Sequence, residues 1–250
     1  MPSDLSAGIT LVLVVRNEEA GIRASLPRLP LDRFEACFAI DGNSSDATPQ
    51  LLRDAGIPVH AQSQRGLGAA MLEARELVKT HAFIFFHPDG NEDAGDLPRM
   101  VDLLGNGSQF VVASRMIPGA WNEEDHQRFR PRKWANCGLA LLANLLFARN
   151  GNRTTDVSNG FRGITCAAWD RMQLTSQDLT MDYQMVIRAL KCGIRISEFP
   201  THESQRIGGQ TTFASLPTGI AELKLLWREI CAGRRIPEPV AKEQVQLRGS

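Results

Sequence analysis

ITLVLVVRNEEAGIRASL, residues 9–26, opens with six apolar residues in seven, passes through four polar ones and ends in a segment with a helical apolar rhythm. A strand buried on both faces gives such an unbroken run, because neither face meets water. The pattern recurs. EACFAI (35–40), AFIFF (82–86) and QFVVA (109–113) are further short apolar runs, and EAGIRASL (19–26), TPQLLRDA (48–55), LGAAMLEARELVKT (67–80) and LPRMVDLL (97–104) read as the helices between them. Strands alternating with helices predict an α/β fold with a mostly parallel central sheet and helices on both faces.

Ligands of such sheets bind beyond the carboxyl ends of the strands. The expected ligand edge is therefore RNEE after the first run, DGNSSD (41–46), HPDGNED (87–93) and SRMIPG (114–119). Further on, a loop over 114–134 leads into a helix carrying LALLANLLF. TDVSNGFRG, a helix over 182–193, a strand over 195–200, a basic Gly loop SQRIGGQTT (204–212) and an amphipathic helix near 218–233 follow. No repeat or low-complexity linker interrupts this order. It predicts one domain over residues 1–236 and a frayed tail over 237–250.

With 250 residues, 43% of them hydrophobic, a sizeable core is expected. Lys plus Arg and Asp plus Glu are both 28, so net charge gives no argument for a nucleic-acid partner, and none is expected. The five cysteines form no CxxC pair and are expected as thiols in a reducing compartment. The N-terminus lacks a basic start and a long apolar stretch, so no signal peptide is read, and the sequons at Asn43, Asn106 and Asn152 are taken as accidental. The longest mostly apolar stretch, LALLANLLFA (139–148), falls far short of the roughly 20 residues that span a bilayer. A cytoplasmic location follows as the expectation, with any membrane contact peripheral and on the inner face.

Four motifs carry candidate chemistry. In HPDGNED the oxygens of Asp89, Asn91 and Asp93 alternate as a hard divalent cation would require, and His87 offers a nitrogen; the same residues are also ordinary turn formers. DGNSSD sets Asp41 at a strand end, where it would accept hydrogen bonds from a base or ribose, or merely close a capped turn. QRGLGAAM (64–71) opens a helix whose N–H groups could cradle phosphate, but the full dinucleotide fingerprint is missing. HQRFRPRKW (126–134) and Arg206 supply guanidinium groups suited to phosphate, and equally to a solvated surface.

Taken in order, VVRNEEAGI, AIDGNSSDAT, RGLGAAM, HPDGNED, VVASR, TDVSNGFRG and PTHESQRIGGQT resemble the successive motifs of the family 2 glycosyltransferases. Within that family they resemble the dolichyl-phosphate mannose synthase-like group, which makes polyprenyl-phosphate sugars. The resemblance runs over residues 9–212 and implies a GT-A type, Rossmann-like domain that binds a nucleotide sugar, with Mg²⁺ or Mn²⁺ as cofactor. It implies an inverting enzyme that moves a hexose from a GDP- or UDP-linked donor to a polyprenyl phosphate. Carried over by motif, Asn17, Glu18, Asp41, Gly66, Gly68 and Asp89 would bind donor, and Asp89, Asn91 and His87 the metal. Arg115, Arg162 and Arg206, with Arg132 or Lys133, would handle the diphosphate or an acceptor phosphate. Asp89, Arg115, Arg206 and Asp182 are the expected catalytic set.

His87 departs from the pattern, standing where the family's first metal-motif Asp is usual. Asp182 stands where relatives with hydroxyl acceptors keep a base, yet lipid-phosphate members place an acid nearby too. A glycan hydroxyl thus stays open as acceptor, as does a donor-binding protein that has lost catalysis through His87. A dinucleotide oxidoreductase ranks last. ELKLLWREICAGRR (222–235) is amphipathic, with Trp227 and with Lys224, Arg228, Arg234 and Arg235 able to meet anionic headgroups; it reads equally as a core or dimer helix, which leaves a homo-oligomer open.

Overall fold

The computed structural model describes residues 6–207, 215–233 and 235–236. Seven strands form one sheet: β1 (Ser6–Val15), β2 (Ala36–Asp41), β3 (Val59–Ala61), β4 (Thr80–Phe86), β5 (Phe110–Ser114), β6 (Arg162–Thr165) and β7 (Ile196–Pro200), in the order 3-2-1-4-6-5-7. Only β6 runs against its neighbours, pairing antiparallel with β4 and β5. Val15 faces Asp41 and Leu13 faces Phe86, so β1, β2 and β4 release their chains at one edge.

Successive strand residues point to opposite faces. Val12, Phe83, Phe85 and Phe110 enter one core cluster, with α3 (Leu67–Leu77), α5 (Pro131–Phe147), α6 (Cys166–Met172), α7 (Met181–Cys192) and α8 (Ser215–Cys231). Leu11, Leu13, Ile84 and Phe86 enter the other, with α1 (Glu19–Ser25), α2 (Thr48–Asp54) and α4 (Leu97–Gly105). The mostly parallel sheet with helices on both faces is as the sequence predicts. Each fully buried phenylalanine, such as Phe83 and Phe85, contributes about 1.5–3 kcal/mol.

Five elements differ from expectation. β3 is a three-residue edge strand, β6 begins within the TDVSNGFRG motif, and α6 follows in a stretch where no element is predicted. Helix α5 starts at Pro131, inside the expected loop, because proline at a first helical turn loses no needed N–H. Helix α3 stops at Leu77, since Val78 is extended and leads into β4. Gly208 to Thr212 of the Gly loop, Arg234 and the tail from residue 237 lie outside the described residues.

Helices α7 and α8 are clasped through a buried charge cluster. Glu229 accepts from Arg188 Nε at 2.9 Å and from Lys191 Nζ at 2.5 Å, and all three side chains are almost fully buried. Removing the acid leaves two cations without their counter-charge, a change that costs about 3–5 kcal/mol. Glu229→Ala is expected to lower unfolding free energy by that amount in urea titrations.

Glu222, also on α8 and buried, has its pKa pushed from 4.5 to about 7, first by burial and then by Asp182. The folded state therefore holds this proton to higher pH than the unfolded chain, and stability falls as pH rises from about 4.5 to about 7. Glu222→Gln is expected to flatten that slope and to raise the melting temperature at pH 8 in calorimetric scans.

Candidate active site

The turns after β1 and β2 are laced together by the polar residues of DGNSSDAT. Asn17 and Asn43 adopt left-handed backbone, which Asn tolerates better than most residues. Ser44 Oγ accepts from the Asn17 N–H and Asn17 Oδ1 accepts from the Ser45 N–H, both at 2.8 Å. Thr48 Oγ1 accepts from the Glu18 N–H at 2.8 Å and Asp46 Oδ2 from the Glu19 N–H at 3.1 Å, so the second turn satisfies the free N–H groups that open α1. Asp41 is buried beneath this lacing, and its carboxylate accepts from the Ser44 N–H at 3.1 Å and the Ser44 hydroxyl at 2.5 Å.

The turn after β4 lies directly against α1. A Cβ at Gly21 would stand 2.2 Å from the Pro88 carbonyl oxygen and 2.7 Å from Asp89 Cα, so only glycine allows the approach. Asp89 Oδ1 accepts from the Asn91 N–H at 2.9 Å. The chain beyond β7 runs along the same turn. The Asn91 amide donates to the Ser204 carbonyl at 2.8 Å, the Ser204 N–H to the Asn91 carbonyl at 3.0 Å and the Ile207 N–H to the Asp89 carbonyl at 2.8 Å.

This zipper delivers Arg206 between two acids. Its guanidinium pairs with Glu18, and its Nε lies 3.6 Å from Asp89 Oδ2 without a hydrogen bond of its own. Asn17, Glu18, Asp89 and Arg206, expected at one site, are thus brought together from three separate segments. Burial lowers the Arg206 pKa. Burial, then Glu92, pushes Asp89 up to about 6.

His87 Nδ1 lies 2.8 Å from Glu92 Oε1, and Glu92 Oε2 accepts the His87 N–H at 2.8 Å. Its ring fills the space over Gly160, where a Cβ would fall 2.6 Å from Cε1. Burial alone would lower its pKa, but Glu92, with Asp89 and Asp182 behind it, raises it to about 9. His87 was expected to add a nitrogen to a metal; near neutral pH its imidazole carries two protons and would have to lose one first. Its Nε2 is buried without a hydrogen bond, as is Oδ1 of Asp182, which lies 3.7 Å from Arg162 Nε. The Asp182 pKa is raised by burial, against Arg162, His87 and Arg115.

The other expected phosphate-handling residues are already engaged. Arg115 donates to Asp156 from Nε at 2.8 Å and Nη2 at 2.9 Å, to Glu203 at 2.6 Å and to Ser158 at 3.2 Å. Burial opposes its charge, but Asp156 and Glu203 raise its pKa overall. Arg162 is fully buried, with its donors on the carbonyls of Asn159, Val157 and Asp182, which makes it a brace beneath the site. Arg132 pairs with Glu123 and Lys133 with Asp125, both within the loop that precedes α5.

The phosphate cradle read into QRGLGAAM is corrected. The N–H groups of Gly68 and Ala69 donate to the carbonyls of Asp178 and Gln177. A Cβ at Gly66 or Gly68 would stand 2.1 or 2.3 Å from a carbonyl of the 176–177 segment, so these glycines serve close chain packing. Glu92, Asp156 and Glu203 were not singled out from the sequence. Glu92, five residues after His87 in one polar stretch, was the most visible of them.

Among the described residues no three His, Cys, Asp or Glu side chains group closely enough to hold a metal ion by themselves. The site nevertheless fits a hard cation that draws its remaining ligands from a substrate. Asp89 is a carboxylate whose raised pKa records a charge short of compensation, Asn91 stands two residues on, and Mg²⁺ commonly takes one or two carboxylates and completes its shell with phosphate and water.

The chain is 30% identical over 183 residues to glycosyltransferase AglJ of Haloferax volcanii, covering 72% of this chain and 57% of that protein, so it spans little more than half of that relative. It is 26% identical over 203 residues to the dolichyl-phosphate hexose transferase of the same organism, covering 80% of this chain and 84% of that protein. The fold superposes with a TM-score of 0.66 on glucosyl-3-phosphoglycerate synthase from Mycobacterium tuberculosis, solved with Mn²⁺, UDP and glucosyl-3-phosphoglycerate, at 16% identity and covering 92% of this chain and 81% of that one. The sheet and its flanking helices have the GT-A glycosyltransferase fold. Residues 10–174, from the first strand through the helix after β6, match the model of glycosyl transferase family 2, and the chain belongs to that family.

Proposed function

We propose that this chain is an inverting glycosyltransferase that moves a hexose from a GDP- or UDP-linked donor to a polyprenyl phosphate, with Mg²⁺ or Mn²⁺ as cofactor. The observation that carries the reading is the meeting of Glu18, Asp89 and Arg206 at the edge where strands β1, β2 and β4 end, the edge at which Asp41 closes β2. The resemblance to a relative named for dolichyl-phosphate hexose transfer supports the acceptor.

In this reading Asp41 and the Asn17–Glu18 turn receive the nucleoside, and Asp89 with Asn91 would hold the cation. The bound cation would supply positive charge to the leaving diphosphate. Arg206 leaves its carboxylate partners and offers its donors to the same phosphates, where charge develops as the bond to the sugar breaks. An acceptor phosphate is already anionic near neutral pH and needs orientation rather than a base. Its oxygen bonds to the anomeric carbon from the face opposite the diphosphate, which departs with the bonding electrons.

The test is incubation with a panel of GDP- and UDP-sugars, Mn²⁺ and a short polyprenyl phosphate, with mass spectrometry of the organic and aqueous phases. Sugar in the lipid phase is the expected result; donor left intact throughout would overturn the reading. Asp89→Ala and Arg206→Ala are each expected to lower kcat by about a hundredfold or more.

A second reading, with a glycan hydroxyl as acceptor, is favoured by one observation. Asp182 is buried, has an oxygen with no hydrogen bond, 3.7 Å from Arg162 Nε, and has a raised pKa, traits compatible with a general base. Asp182→Asn is then expected to abolish transfer while donor binding, followed by calorimetry, is retained; full activity in that variant would exclude the base role.

A further inference from the structure

Helix α5 turns Trp134, Leu141, Leu142, Leu145 and Leu146 outward, and from Trp134 to Leu146 its exposed positions carry no charge. Leu145 is 73% exposed. Helix α8 packs beside α5 over the same face of the sheet and exposes Ile220, Leu223, Trp227 and Ile230, with Trp227 66% exposed. Its acids, Glu222 and Glu229, are turned inward and buried, whereas Lys224 and Arg228 stand outside and line a shallow hollow with Ile220, Leu223 and Trp227.

We infer that this two-helix face seats on an anionic lipid surface. Large apolar side chains exposed together on two neighbouring helices mark a face built for interaction. The segregation of charge selects the occupant. With carboxylates inside and cations outside, the face combines apolar residues, an interfacial tryptophan and positive charge, the combination that holds a helix at an anionic bilayer surface. Two-fold pairing of this face with a second copy would instead bring Lys224 and Arg228 toward their own counterparts, with no exposed acid on α8 to pair them.

The location suits a membrane-borne acceptor. At the start of α5, Asn136 Oδ1 accepts from the N–H groups of Val157 and Ser158 and from the Ser158 hydroxyl, and Ser158 in turn accepts from Arg115. The apolar face therefore begins at the turn that borders the site. The inference rests on the lipid-phosphate reading for its purpose, but the docking itself is measured without donor or acceptor.

The full chain is sedimented with vesicles of phosphatidylcholine alone and of phosphatidylcholine with phosphatidylglycerol, and its mass in solution is read by light scattering. Co-sedimentation with the anionic vesicles, weakened by salt, is expected. K224E/R228E should weaken it by at least about fivefold per cation removed, and L141S/L145S should also reduce it. Absence of sedimentation, binding by both variants equal to the parent's, or a dimer that L141S/L145S converts to monomer would overturn the inference. Both variants should transfer sugar to a short, dispersed acceptor as the parent does. Vesicle binding that persists when no acceptor is glycosylated would remove the proposed reaction and leave the surface standing.

Discussion

A half-buried guanidinium, that of Arg115, ties together the loops after β5, before β6 and after β7. Arg115 follows β5 and reaches Asp156 and Ser158 in the turn before β6 and Glu203 beyond β7. Glu203 Oε2 also accepts from the Asn122 amide and the Glu123 N–H, so the loop that leads to α5 is fixed to the same point. Because Glu203 is anchored, the next few residues run along the Asp89 turn and present Arg206 to Glu18. A buried ion pair need not add net stability, since desolvation offsets much of the attraction. Here its evident effect is geometric: three loops that hydrophobic packing alone would leave loosely related acquire fixed positions.

Most of the sheet was legible in the sequence because strands buried on both faces must be continuously apolar. Strands β1, β2, β4 and β5 announce themselves in this way. Strand β3 does not, for it has three residues at the sheet edge and two of them are exposed. Strand β6 hides behind Arg162, a fully buried charge whose solvation by three backbone carbonyls no local pattern reveals. Within the site, the motif order pointed to Asn17, Glu18, Asp89 and Arg206, and these do converge. Their partners were less legible. Arg115 meets Glu203 across most of the second half of the chain, and nothing near either residue encodes the meeting. Gly66 and Gly68 misled for a related reason: a glycine required by a neighbouring carbonyl looks in sequence like one required by a phosphate.

The balanced overall charge conceals strong local separation. At the carboxyl edge Glu18, Asp89, Glu92 and Asp182 are buried or half-buried close to His87, Arg115, Arg162 and Arg206. On α8 the separation is radial, with acids toward the core and cations toward solvent. At the carboxyl edge the acids and cations offset one another in part, whereas Glu222 is raised by burial and by Asp182 with no cation among the described residues to oppose them.

The reversed strand also bears on the order in which the sheet can be assembled. Strands β1 to β4 form a parallel block that is complete by Phe86, and β2, β3 and β4 each pair with a neighbour already synthesised. β5 has no partner in that block, because β6 lies between it and β4, and Ala82 meets Thr165 across a long intervening segment. Until β6 arrives, β4 is an open edge bearing Phe83 and Phe85, and β5 has no sheet to join. Closure of that gap carries a large loop entropy, and the early half of the chain passes through a stage with a sticky, unpaired strand.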